Sequence, residues 1–326
     1  VETEQGRLPP PPGLISSLAA GFDSVANSIA VIALPVLFDL FLWFGPQLRL
    51  QALTRPLLDQ LPSLYSNLTS LANIEAAQKL WTDLLEHFNL FSILRTFPVG
   101  LSSLFALEMP FQTPLGDPQV YEAVSLLDVL GWGALAVVAG WLIGGLYYYW
   151  VSSISLRPDS LPLLRAIAQV VLLSLIWVVL LVAVGMPVMM LFSLTTLISP
   201  ALGQVAIFAV GIATLWLVAP VYFSAHGIFT YKMNALNAIL SSLRMIRFTL
   251  PSTFLFLVMF VLIGQGLRFL WSTPAQDSWW LLVGILGHAF ISTALLASSF
   301  IYYRDVNNWL KVVFEQLKKQ AKPANI

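Results

Sequence analysis

No cysteine occurs among the 326 residues. That absence excludes disulfides, thiolate metal sites, iron–sulfur clusters and cysteine nucleophiles together, and it leaves the redox compartment unreadable. Charge is the second shortage. Only 10% of the residues are Asp, Glu, Lys or Arg, against about a quarter in an average soluble domain. The 16 basic side chains balance 16 acidic ones, so no cationic surplus points to nucleic acid. The three histidines, His87, His226 and His288, fall in an outer loop, at the inner end of one span and inside another, and cannot converge on one metal. There is no H-E-x-x-H, no G-x-S-x-G and no Gly-rich phosphate loop with its Lys. No cofactor is expected.

What is present is apolar: 58% of the chain, with a mean hydropathy of +0.82. The bilayer must serve as solvent for much of it. About six stretches are long enough for a core of roughly 30 Å: Val25–Phe44, Leu126–Trp150, Ala166–Phe192, Leu202–Phe223, Thr253–Trp271 and Trp279–Tyr303. Open sheet edges cannot sit in lipid, so these are helices, and the fold class is an all-α polytopic membrane bundle. The acidic start, Val1-Glu2-Thr3-Glu4, runs into Pro9–Pro12 and lacks the basic, then apolar, order of a secretory signal; the first span is expected to act as the uncleaved insertion signal.

The organisation expected is a Pro-rich tail (1–12), an interfacial helix with span one (13–44), an outer helical cap (45–125), spans two to six (126–303) and a basic C-terminal helix (304–326). Placing both termini in the cytoplasm of a cell (inner) membrane leaves only Arg49, Arg55, Lys79, Arg95 and Arg268 outside, as the positive-inside rule prefers. In the cap, Leu57, Leu58, Leu61, Leu64, Leu68 and Leu71 recur near helical spacing, as do Ala77, Leu80, Trp81, Leu84, Leu85 and Phe88. Beyond the sixth span, Val306, Trp309, Leu310, Val313, Phe314 and Leu317 form an i, i+3, i+4 stripe with Lys311, Lys318 and Lys319 off it, as in a helix lying on an anionic leaflet. Membrane lipids and other membrane subunits are the partners this implies.

A weak repeat is visible. An amphipathic segment precedes a span three times: at Leu14, Leu18, Phe22 and Val25; around Asp159 to Ile167; and at Met233, Leu236, Leu240 and Leu243, where Pro251 then starts span five. The run Ala238-Ile239-Leu240-Ser241-Ser242-Leu243-Arg244-Met245-Ile246-Arg247, two spans and a terminal Ile301-Tyr302-Tyr303-Arg304-Asp305 resemble the six-span bacterial proteins similar to the membrane domain preceding some glycerophosphodiester phosphodiesterases. The resemblance covers Met233 to Asp305, with an echo at Leu14 to Trp43. It implies architecture rather than activity. The long insertion after span one departs from it, and the catalytic barrel of those enzymes has no counterpart here.

Polar residues inside spans are costly and are the default functional candidates. Asp39 lies near the outer end of span one, Asp128 at the start of span two, Gln265 and Arg268 near the outer end of span five, and His288 within span six. The sharp expectation is an Asp39–Arg268 ion pair with Gln265, lining a pocket open to the outside; its competitor is a structural clamp, or an Arg268 that snorkels. His288 is expected to hydrogen-bond a neighbouring Ser or Thr. Intramembrane serine proteolysis of the rhomboid kind needs a Ser within reach of the late His, and Gly100-Leu101-Ser102-Ser103 falls in the outer loop. Gly140 and Gly144, with Gly131 and Gly133 earlier, are expected to let span two approach a neighbour closely, and Pro35 and Pro187 to kink spans one and three. The leading expectation is a non-enzymatic scaffold, lipid-interacting protein or complex subunit. A small-solute or lipid transporter using Asp39 and Arg268 comes second, and an enzyme acting on lipid headgroups is a distant third.

Overall fold

A computed structural model of the chain describes residues 9–60, 62–63, 75, 78–79, 81–83, 85, 88–106, 109–156 and 162–321. Helix α1 (Leu14–Ala26) is followed by a 3-10 turn (Ile29–Ile32) and α2 (Ala33–Phe44). Strand β1 (Gln47–Arg49), α3 (Gln51–Asp59), 3-10 turns at Leu90–Arg95 and Leu104–Ala106, and β2 (Val120–Glu122) come next. Four long helices and a longer fifth complete the chain: α4 (Leu126–Leu156), α5 (Leu163–Ile198), α6 (Pro200–Tyr231), α7 (Ala235–Trp271) and α8 (Leu281–Ala321). The chain is an all-α membrane bundle.

Among the described residues, five helices pass for spans by length and hydropathy, and a sixth passes only as the pair α1 with Ile29–Phe44, bent by 93°. The expected first span, Val25–Phe44, is therefore broken at Asn27 and Ser28. Pro35 sits in the first turn of α2 and helps start a helix there instead of kinking one. The other boundaries have local causes. Ser125 and Asp128 cap α4 reciprocally: Ser125 N–H donates to Asp128 Oδ2 at 3.0 Å and Asp128 N–H to Ser125 Oγ at 3.1 Å. Asp128, a functional candidate from sequence, is thus a helix cap. Extended Ser199 and then Pro200 at the first helical position separate α5 from α6. Lys232, at φ 56°, ends α6 in the left-handed conformation. The third interfacial segment and span five are two helical stretches of α7 that meet at a kink, where helical geometry breaks at Thr249 (φ −128°, ψ 22°), two residues before Pro251. Residues 157–161 of the middle copy, and Leu61, Leu64, Leu68, Leu71, Ala77, Leu80, Leu84 and His87 of the cap, lie outside the described residues.

The chain divides into two compact units: Val1–Ser28, Tyr148–Gly264 and Thr293–Ile326 form one, and Ile29–Tyr147 with Gln265–Ser292 the other. The first holds an aromatic core. Phe256 and Tyr302 stack at 4.3 Å, and His226, hydrogen-bonded through Nε2 to Ser299 at 2.7 Å, lies 4.4 Å from the Phe300 ring. The residues that carried the family resemblance pack here. Ala238 is fully buried against Gly227, Ser242 donates to the Pro220 carbonyl, and Ser241 bonds the Tyr303 hydroxyl at 2.8 Å. In the last part of α8, Val306, Leu310 and Val313 are buried while Lys311, Lys318 and Lys319 are exposed. Gly21 of α1 rests on the α8 backbone, so close that a Cβ would lie 2.6 Å from Ser298 Cα. Gly21→Ala is therefore expected to cost about 1–3 kcal/mol by overpacking, read as a lower thermal midpoint in detergent. An unchanged midpoint would mean that α1 is not docked there.

Candidate functional site

The second unit contains a small parallel ladder that composition did not foretell: Gln47, Leu48 and Arg49 pair with Val120, Tyr121 and Glu122. It ties together the two ends of the inserted segment. Leu48, Leu90 and Ala123 form its core, with Val129 of α4 packed against them.

From that core the chain does not stay on the surface. Phe91 meets Trp132 edge-on at 6.3 Å. The Leu94 carbonyl and the Thr96 side chain sit on Gly140, Phe97 accepts from Trp141 Nε1 at 3.4 Å, and Val99 and Gly100 lie against Gly144. The partners advance steadily along α4, and Gly140 is about 21 Å from Leu126 and about 15 Å from Trp150 at 1.5 Å per residue. At Val99 and Gly100, against Gly144 and about 27 Å along α4 from Leu126, the segment turns. The return runs along α8: Ser102 Oγ donates to Ser292 Oγ at 2.7 Å, Leu104 packs near Gly284, and Phe111 N–H donates to the Gln276 side chain at 3.0 Å. Trp43 Nε1 donates to Gln276 and Gln112 carbonyls at 2.9 and 3.3 Å, closing the loop at the level of the last turn of α2. Residues 90–106 and 109–112 thus re-enter the bundle. The close neighbour that Gly140 and Gly144 admit is this segment, not another helix.

Irregular backbone at such depth survives only where its polar groups are satisfied inside protein or face a water-filled cavity. Side chains supply most of the partners. Asp39, completely buried, accepts from Ser103 Oγ at 2.5 Å through Oδ1 and from Leu104 N–H at 3.0 Å through Oδ2. Ser103 Oγ in turn accepts from Phe105 N–H at 3.1 Å. His288 is hydrogen-bonded to the Ser103 main chain, and its Nε2 is buried without a partner. Thr96 Oγ1 donates to the Val99 carbonyl at 2.7 Å, and Arg95 Nε to Ser92 at 3.1 Å. Thr96 itself is held at φ 30°, a conformation that is strained for a β-branched residue and that persists only where its surroundings impose it.

Asp39, Gln265, Arg268 and His288 all belong to this unit, as does the helix cap Asp128. The expected Asp39–Arg268 pair is not how Asp39 is used: its oxygens go to the re-entrant segment, and the cation whose charge reaches it is Arg95. Arg268 donates to Gln265 Oε1 at 3.2 Å, and its charge acts on both Arg95 and His288. His288 meets main chain rather than a Ser or Thr hydroxyl. Arg95 and Ser103 are the members that sequence reasoning missed. The signal available was the run of loop residues without charge, Thr96 to Ala106, an odd stretch for a segment lying in water.

Ser103, expected in an outer loop away from the late histidine, reaches the neighbourhood of His288. Its hydroxyl nevertheless donates to Asp39 while the imidazole bonds the main chain, so the two do not form the hydrogen-bonded nucleophile and base that such chemistry requires. No family model, curated protein or solved structure matches the chain.

Proposed function

We propose that the chain is a non-enzymatic, multi-pass protein of the cell (inner) membrane, with both termini cytoplasmic, that binds and carries a small solute or lipid at the polar cluster around residues 95–104. The supporting observation is Arg95. Its two terminal nitrogens have no hydrogen-bond or ion-pair partner among the described residues, yet it sits beside Leu94, which packs at mid-span on Gly140. Facing hydrocarbon there would cost about 2.5–3.5 kcal/mol on insertion scales. Water or a polar ligand removes that cost. Broken or irregular backbone at the midplane is also where carriers place their binding sites. The orientation rests on the Lys and Arg bias between the two faces.

The absence of cysteine makes the test direct, since a single introduced thiol has no competitor. Phe97 is 56% exposed three residues before the turn at Gly100, and Val182 of α5 is 52% exposed in the middle of an apolar run. A membrane-impermeant thiol reagent is expected to modify Phe97→Cys at least tenfold faster than Val182→Cys in intact membranes. Equal, negligible rates would rule out a water-accessible site.

A second reading, a scaffold or complex subunit, is favoured by the hairpin of α5 and α6. Val179, Leu181, Met190, Phe208 and Ile212 all expose more than half of their surface, and lipid or other membrane helices must cover them. Mass spectrometry of the protein extracted in native nanodiscs separates the readings: a stoichiometric set of other subunits would make this one the lead.

A further inference from the structure

The N-terminal residues of the first unit run back along α8. Ser298 Oγ donates to the Leu18 carbonyl at 3.2 Å, and Trp309 Nε1 donates to the Pro9 carbonyl at 2.8 Å. The proline run is thereby held as a strap over a cavity of about 200 Å³. Pro11 and Pro12 form its outer wall, Phe248 and Pro251 at the kink of α7 the second, and Val306 and Trp309 of α8 the third. An engineered apolar cavity of about 150 Å³ takes a benzene molecule. There is room here for a few carbons more, the end of a chain but not its whole length.

The walls select an apolar occupant, because their side-chain polar groups are spent on protein. Thr249 Oγ1 donates to the Met245 carbonyl at 2.7 Å and Ser252 Oγ to the Thr249 carbonyl at 3.1 Å. The Tyr302 hydroxyl bonds Thr253 Oγ1 at 3.3 Å, and Trp309 is engaged by Pro9. Prolines have no N–H to offer. A polar ligand would give up its hydrogen bonds to water and find no side-chain partner, whereas every methylene buried there is favourable. Alkyl chains are also at hand. The apolar run of α7 starts at Thr253 and that of α8 ends at Tyr303, so the cavity lies where both spans leave the hydrocarbon. Arg247, exposed, holds its guanidinium 5.8 Å over the Phe248 ring of the same wall, and a cation there suits the phosphate that a phospholipid joins to its chains. We propose that this cavity takes the end of one alkyl chain of a membrane phospholipid, with the proline strap as its outer wall. The site lies in the first unit and does not depend on the solute-site reading above.

The test uses the full-length protein in phosphatidylcholine nanodiscs doped with a phosphatidylcholine that carries a diazirine on the last carbons of one chain. Chain ends of bulk lipid gather at the bilayer midplane, so capturing one where the spans leave the hydrocarbon marks a bound chain. After illumination and peptide mapping, residues 248–252 and 302–309 are expected to carry about tenfold more label than the controls, the preference that burial of two methylenes confers. The controls are Leu236 and Leu240, exposed leucines of the α7 stretch before the kink. Val306 is buried in the cavity wall, and Val306→Trp should fill the space and bring the cavity label down to the control level. If Val306→Trp does not fold, Ser252→Phe is read in its place. Equal label on the cavity residues and the controls overturns the proposal. So does cavity label that the filling substitution leaves unchanged.

Discussion

Asp39→Ala is expected to lower the stability of the protein by about 2–6 kcal/mol. The carboxylate is the common anchor of a hydroxyl and a main-chain N–H, Ser103 Oγ and the Leu104 amide, both buried with it. Alanine leaves the two donors without a partner, and each unsatisfied buried group costs about 1–3 kcal/mol. Against a typical total of about 5–15 kcal/mol, that is a large share. Asp39→Asn keeps one acceptor oxygen and is expected to lose roughly half as much. Both are read by the thermal midpoint and monodisperse yield in detergent. Limited proteolysis adds a local readout, since a released segment 90–112 should become the first site of cleavage. A wild-type midpoint for Asp39→Ala would show that Asp39 does not hold the segment, and the re-entrant architecture would lose its main support.

Why the bundle was legible in the sequence and the loop was not follows from the forces involved. Hydrocarbon imposes one rule on every residue of a span, so five long apolar runs announce α4 to α8 without any knowledge of their neighbours. The continuation of α8 into a C-terminal extension was also visible, because the spacing of Val306, Leu310 and Val313 is local information. A re-entrant segment obeys no such periodicity. Leu94, Val99 and Gly100 carry no pattern that distinguishes a chain lying on α4 from one lying in water. Its depth is set by partners far away in sequence, Asp39, Gly140, Gly144 and Ser292. Polar residues inside spans pointed to the right unit, since their cost demands a reason. Their pairing was not readable: Coulomb's law favours Asp39 with any nearby cation, and only the path of the loop puts Arg95 and Ser103 there in place of Arg268. Pro35 and Asp128 show the same limit at shorter range, because each has its role only from where a helix starts, and an apolar run does not mark that residue.

The glycines of α4 and of the segment itself supply the second large effect. Gly100 closes the turn at the bottom of the loop so tightly that a Cβ would overlap the Arg95 carbonyl and the Thr96 carbonyl oxygen. These are backbone atoms, which cannot swing aside as a flexible side chain would, so Gly100→Ala is expected to cost about 3 kcal/mol, the upper end for overpacking, or more. Gly144→Ala presses on the same place from the helix: its Cβ would stand 2.8 Å from Gly100 Cα and 3.0 Å from Gly100 N, for an expected loss of about 1–3 kcal/mol. The matched control lies on the same helix. Gly131 and Gly133 face open space, and alanine there gains up to about 1 kcal/mol of helix propensity. The series therefore predicts opposite signs along one helix, with thermal midpoints falling at 144 and holding or rising at 131 and 133. It also predicts that the thiol at Phe97→Cys changes its labelling rate in the Gly144→Ala background and not in the Gly131→Ala background. A uniform gain across all three positions would mean that nothing packs on the middle of α4, and residues 96–104 would have to lie elsewhere.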